Sequence, residues 1–141
     1  MKKVLLAMIF CSIALMLCSQ TPGIFLGMSN KEVRMIIRTT DLKQITTTDT
    51  LITGYNWQED YAVSYHFKKH FNGKYYCHKV ELITNNLKGE ELIGSHRQDW
   101  EPISDKIWLY HNRYYQSAVL VTLEYLENSD MLFSYNIFAG L

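Results

Sequence analysis

Tyr61-Ala62-Val63-Ser64-Tyr65-His66-Phe67, then Asn72-Gly73, then the run from Tyr75 to Thr84 form the stretch that decides the fold. The first segment alternates large apolar residues with small or polar ones, and the second alternates again through Tyr76, His78, Val80 and Leu82. Period-two alternation is the mark of a half-buried strand. Asn-Gly between two such runs is the dipeptide best suited to a two-residue type I′ turn, because both central positions need φ > 0. The stretch therefore predicts an antiparallel hairpin with Phe67 opposite His78 and Val63 opposite Leu82. On that register Val63, Tyr65, Phe67, His78, Val80 and Leu82 share a buried face. Ser64, His66, Lys68, His70, Tyr75, Cys77, Lys79 and Glu81 share the other.

Outward from the hairpin the pattern continues. Ser29 with Glu32 three residues later forms a capping box, and Val33, Ile36 and Ile37 follow at i, i+3, i+4 spacing, predicting a helix from Asn30 to about Thr39. The threonine-rich stretch from Thr39 to Thr50 reads as a loop. Thr50–Trp57 supplies a strand before the hairpin. A polar helical segment begins near Lys88 and is stopped before Pro102. Three further strands follow at Lys106–Tyr110, Ser117–Leu126 and Met131–Phe138, the last two joined by the turn signal Asn128-Ser129-Asp130. The expected fold class is α+β, an antiparallel sheet of about six strands with two helices packed on one face. The order helix, three strands, helix, three strands is compatible with a duplicated αβββ unit.

The start of the 141-residue chain reads differently. Lys2 and Lys3 precede a run that is apolar from Val4 to Leu17 except for Ser12. The run is shorter than the roughly 20 residues a membrane-spanning helix needs, so it reads as a secretory signal. Residues 1–18 are expected to be that signal, 19–27 a tether and 28–141 a single domain. Leu15-Met16-Leu17-Cys18 resembles a lipobox, which makes Cys18 a candidate for lipidation; cleavage near Ser19 is the alternative. With 1–18 removed, Cys77 is the one cysteine left, so no intramolecular disulfide supports the domain. The 14 basic residues fall to 12 against 14 acidic ones, a formal charge of −2. No basic stripe suited to nucleic acid remains.

The candidate chemistries are thin. His66 and His70, four apart on one strand, have backbones about 13 Å apart, and His78 is assigned to the opposite face, so the three do not converge on a metal. Cys77 has Lys68 and Lys79 near it but no oriented base within hydrogen-bond reach. There is no phosphate loop, nucleophile elbow or CxxC, and no cofactor motif. A non-enzymatic role is the expectation, with no catalytic, metal or cofactor residues. The aromatic-rich stretch with Trp108, Tyr110, Arg113, Tyr114 and Tyr115 is the candidate partner-binding surface, because Trp, Tyr and Arg dominate binding hot spots.

Gly27-Met28-Ser29-Asn30-Lys31-Glu32-Val33 resembles the opening of the SmpA/OmlA lipoproteins, which are related in fold to the β-lactamase inhibitor proteins. The resemblance covers roughly Cys18 to Arg38. It implies a lipid-tethered helix followed by antiparallel strands, and a scaffolding role in the bacterial envelope, at the periplasm or outer membrane. The partner so implied is another envelope protein. A periplasmic small-molecule or peptide binder is the alternative class.

Overall fold

The computed structural model describes residues 25–112 and 117–138. The expected signal and Cys18 lie outside that range. The elements run α1 (Asn30–Ile37), β1 (Lys43–Thr47), β2 (Leu51–Asn56), β3 (Tyr61–Lys69), β4 (Tyr75–Thr84), α2 (Asn86–Ser95), β5 (Glu101–Ser104), β6 (Ile107–Asn112), β7 (Ser117–Tyr125) and β8 (Met131–Ile137). All eight strands form one antiparallel sheet in the order β1-β2-β3-β4-β8-β7-β6-β5. The class is α+β as expected, but the sheet has eight strands rather than about six. Each helix is followed by a four-strand meander, and the two meanders join where β4 pairs with β8.

The two additional strands are the sheet's edges. β1 lies in the threonine-rich stretch read as a loop; its exposure alternates only between exposed and half-buried. Threonine is β-branched and suits a strand when a neighbour offers a ladder. β5 is four exposed residues that include Pro102, and a bulge interrupts its pairing with β6. Proline and a bulge are both tolerated on an edge.

Both helices cover the same face. Its buried side chains include Ile52, Val63, Tyr65, Phe67, Val80, Leu82, Val119, Val121, Leu123, Met131, Phe133 and Tyr135. Val33 and Ile37 of α1 press onto it from above, with the α1 cap as expected: Ser29 Oγ accepts from the Glu32 N–H and the Glu32 carboxylate accepts from the Ser29 N–H. On α2 the one buried residue is Gly89, seated against Met131. Phe25 and Leu26, inside the segment expected to be tether, are core residues at 5% and 0% exposure.

The hairpin forms with a correction. Val63 to His66 pair with Leu82 to Lys79 on the expected register, but Phe67 lies opposite Cys77 instead of His78. The connection is a three-residue loop, Phe71-Asn72-Gly73: His70 N–H donates to the Lys74 carbonyl at 2.9 Å, and Gly73 N–H to the His70 carbonyl at 3.0 Å. Gly73 takes the positive φ of 78° that such a loop requires. The extra residue in the opposing strand is His78, a β-bulge. The bulge overturns three assignments: Cys77 turns inward at 1% exposure, Tyr75 packs against the core instead of sharing the outer face, and His78 turns out to solvent. The N-terminal segment stabilises this arrangement, because the Cys77 backbone pairs with Gly27 and Met28 at 2.8 Å each.

Candidate functional site

The sheet's second face carries no described element over it. Its side chains align in rows across the strands. One row runs Thr53, Ser64, Glu81, Ser134, Thr122, Ile107; a second runs Leu51, His66, Lys79, Asn136, Leu120, Leu109. Every one of these residues is half-buried by its neighbours alone. Short Thr and Ser side chains make the first row shallow, Leu51, Ile107, Leu109 and Leu120 are the apolar side chains of the two rows, and the edge strands close them with Thr46 opposite Thr53, Ser104 opposite Ile107 and Glu101 opposite Leu109. With strands about 4.8 Å apart and rows along about 20 Å of strand, the face offers on the order of 700 Å².

One charged cluster interrupts this surface. His66 Nε2 lies 3.1 Å from Glu81 Oε2, and the Lys79 ammonium contacts the other carboxylate oxygen. Partial burial pushes the Glu81 carboxyl up, but its bonds to Lys79 and His66 outweigh burial and hold it below its ordinary value. The His78 ring, brought to this side by the bulge, is held below its ordinary value by partial burial, then by the positive neighbours His66 and Lys68. His70 stacks edge-on against Tyr76. Among the described residues no group of three His, Cys, Asp or Glu side chains is placed to hold a metal ion.

Cys77 is sealed in the core, where burial pushes its thiol up to about 12. Its Sγ donates to the Lys79 carbonyl at 3.6 Å. Thiolate chemistry at neutral pH therefore has almost no reactive species to draw on. Iodoacetamide is expected to leave Cys77 unmodified in the folded protein and to label it promptly in denaturant, read by peptide mass mapping. Rapid labelling without denaturant would contradict the burial. Cys77→Ser, which places a hydroxyl where the sulfur sits, is expected to cost about 1–3 kcal/mol of stability.

The aromatic stretch is divided. Trp108 is only 9% exposed and Tyr110 half-buried, both on the helix-covered face in register with Val121 and Val119. There Trp100 gathers Trp108, Tyr110 and Tyr135 at ring distances of 5.6, 6.2 and 6.1 Å, with His96 stacked on its far side at 4.9 Å. These rings close the core beneath α2 and do not line an outer surface. Arg113, Tyr114 and Tyr115 lie outside the described residues.

A polar cleft of ≈ 380 Å³ opens between the start of α1, Asp49 and the hairpin loop. Several of its polar groups are tied up, Ser29 with Glu32, Asn30 with the Asp49 carbonyl and Asp49 with Arg34, while Lys31 and Lys74 line it as exposed side chains.

Charge is segregated between the two ends of the sheet. At the end of the β2–β3 and β7–β8 turns stand Glu59, Asp60, Glu124, Glu127 and Asp130, opposed by Lys88, which pairs with Glu59 at 2.7 Å, and by Lys106. At the other end the exposed Lys31, Lys68, Lys69 and Lys74 have no ion-pair partner among the described residues, and they outnumber the two carboxylates there, Glu32 in the α1 cap and Asp49 paired with Arg34. The sequence contains this separation, but it emerges only when the strand directions are known. Comparison with family models, curated proteins and solved structures gave no match for this chain.

Proposed function

We propose that this chain is a non-enzymatic, exported envelope protein that binds another protein through the uncovered face of its sheet. The observation that carries the reading is that face: half-buried, mixing short polar side chains with Leu51, Ile107, Leu109 and Leu120, and uncovered among the described residues while the opposite face holds both helices. Its area is close to the about 800 Å² per partner of a standard stable interface. The lipobox-like Leu15–Cys18 and the resemblance of residues 27–33 to an envelope-lipoprotein opening support the location. The repeated order of helix and four strands supports a duplicated αββββ unit as the origin of so wide a sheet.

The test is site-specific photo-crosslinking in the native host. A crosslinker at Ser64 or Thr122 is expected to capture one discrete partner, whereas one at Met35, exposed on the helix side, is expected to capture none. With the crosslinker at Ser64 or Thr122, Ser134→Arg in the same row should abolish the adduct and leave the thermal midpoint within a few degrees, since surface substitutions usually cost within about 0.5 kcal/mol. Adducts from Met35 with none from the sheet would overturn the reading.

A further inference from the structure

The hairpin loop between β3 and β4 presents its one apolar residue in an unusual way. Phe71 is 103% exposed at the apex, although the loop around it is well held. Asn72 Oδ1 accepts from the Lys74 N–H at 2.9 Å, Asn72 Nδ2 donates to the Tyr76 hydroxyl at 3.1 Å, and the His70 ring stacks on Tyr76. Lys68, Lys69 and Lys74 flank the apex, all exposed. A hydrogen-bonded loop that projects a phenyl ring, flanked in sequence by lysines, has the chemistry of an interfacial anchor: the ring suits the acyl boundary, the ammonium groups suit anionic headgroups.

The path of the chain puts this loop where a membrane would be. Residues 25–29 enter the domain beside it, with Gly27 bonded to Cys77, Ser29 bridged to Tyr76, and Ser29 and Lys31 sharing a cleft with Gly73 and Lys74. From Cys18 to Phe25 a fully extended chain reaches only about 25 Å. Whatever holds the N-terminal segment at a bilayer therefore holds this end of the sheet near it, and the carboxylate-rich end points away. Trp57, the other strongly exposed aromatic side chain at a turn, lies at that acidic end, where an anionic surface would repel it.

From these observations we infer that the Phe71 loop, with Lys31, Lys68, Lys69 and Lys74, docks on anionic phospholipid and fixes the orientation of the domain on the bilayer. This goes beyond the protein-binding reading and uses residues that reading does not; it borrows from it only the nearness of a membrane. Each lysine within a Debye length of the surface contributes about fivefold to the docking equilibrium.

Full-length Phe71→Trp protein reconstituted into phosphatidylglycerol-containing vesicles, with acyl chains brominated, tests this directly. Quenching in excess of the unsubstituted protein, which carries Trp57, Trp100 and Trp108, reports the loop alone, however the N-terminal segment is attached. Strong excess quenching is expected with phosphatidylglycerol, and several-fold less in purely zwitterionic vesicles or at high salt. Lys68→Glu, Lys69→Glu and Lys74→Glu added together should remove it. An unquenched loop in anionic vesicles would overturn the inference. So would a concentration-dependent blue shift without vesicles, which would assign Phe71 to contact with a second copy of the chain. Neither result would bear on crosslinking from Ser64 and Thr122.

Discussion

Phe133→Ala is expected to cost the domain about 3–5 kcal/mol, a large share of the roughly 5–15 kcal/mol by which such domains are stable. Phe133 is 0% exposed on β8, between Leu82 of β4 and Leu123 of β7 in register. It therefore stands at the seam where the two meanders meet, under the helices. Truncating the ring leaves a cavity that strands held by ladders on both sides cannot close. Denaturant unfolding of Phe133→Ala beside Phe138→Ala, whose side chain is 45% exposed, gives the comparison. The second change should cost within about 0.5 kcal/mol. A Phe133→Ala loss under about 1 kcal/mol would mean that the helices do not seal this face.

The second large effect is expected at Gly89. A Cβ there would overlap the Met131 sulfur and lie 3.3 Å from Met131 Cβ, whereas one at Gly94 on the same helix would meet nothing within 4 Å. Helix propensity alone favours replacing either glycine by alanine, by about 1 kcal/mol. Close approach reverses the sign at one of them. Gly89→Val is expected to destabilise by about 2–3 kcal/mol through overpacking, and Gly94→Ala to stabilise. Adding Met131→Ala to Gly89→Val should recover part of the loss, because the two residues contest one space. If Gly89→Val and Gly94→Ala moved the thermal midpoint in the same direction, the seating of α2 on β8 would be wrong.

The strands that were legible from the chain are those with one face against the core. β3, β4, β7 and β8 have an apolar alternation because burial selects it, and β2 and β6 have enough of it to locate. β1 and β5 escaped because an edge strand is specified by its neighbour's unpaired backbone more than by its own side chains; Pro102 reads only as the stop of the helix before it. The exchange of Cys77 and His78 was hidden for a different reason. Asn72-Gly73 fits both a two-residue and a three-residue loop, and the choice depends on whether residues 27 and 28 arrive to pair with Cys77. That contact spans some fifty positions and leaves no local trace. Trp108 and Tyr110 have the chemistry of a binding surface, but their register with Val121 and Val119 sends them inward. The uncovered face was half visible, in the polar set of the β3–β4 hairpin, but its shallow row depends on which small residues become neighbours across strands.

Strand β8 is the last of the eight in the chain and yet lies in the middle of the sheet, between β4 and β7. Every other ladder joins strands adjacent in sequence, so each can form as soon as its own hairpin has been made. The central ladder must wait until residues 131–137 exist, and it closes the loop from Thr84 to Met131. Until then the chain is two separate meanders, each exposing a long, apolar, unpaired strand, β4 on one and β7 on the other. Synthesis order thus leaves the stickiest edges open longest. A chain carried unfolded across a membrane and released whole avoids that interval, since all its strands then compete for partners at the same moment.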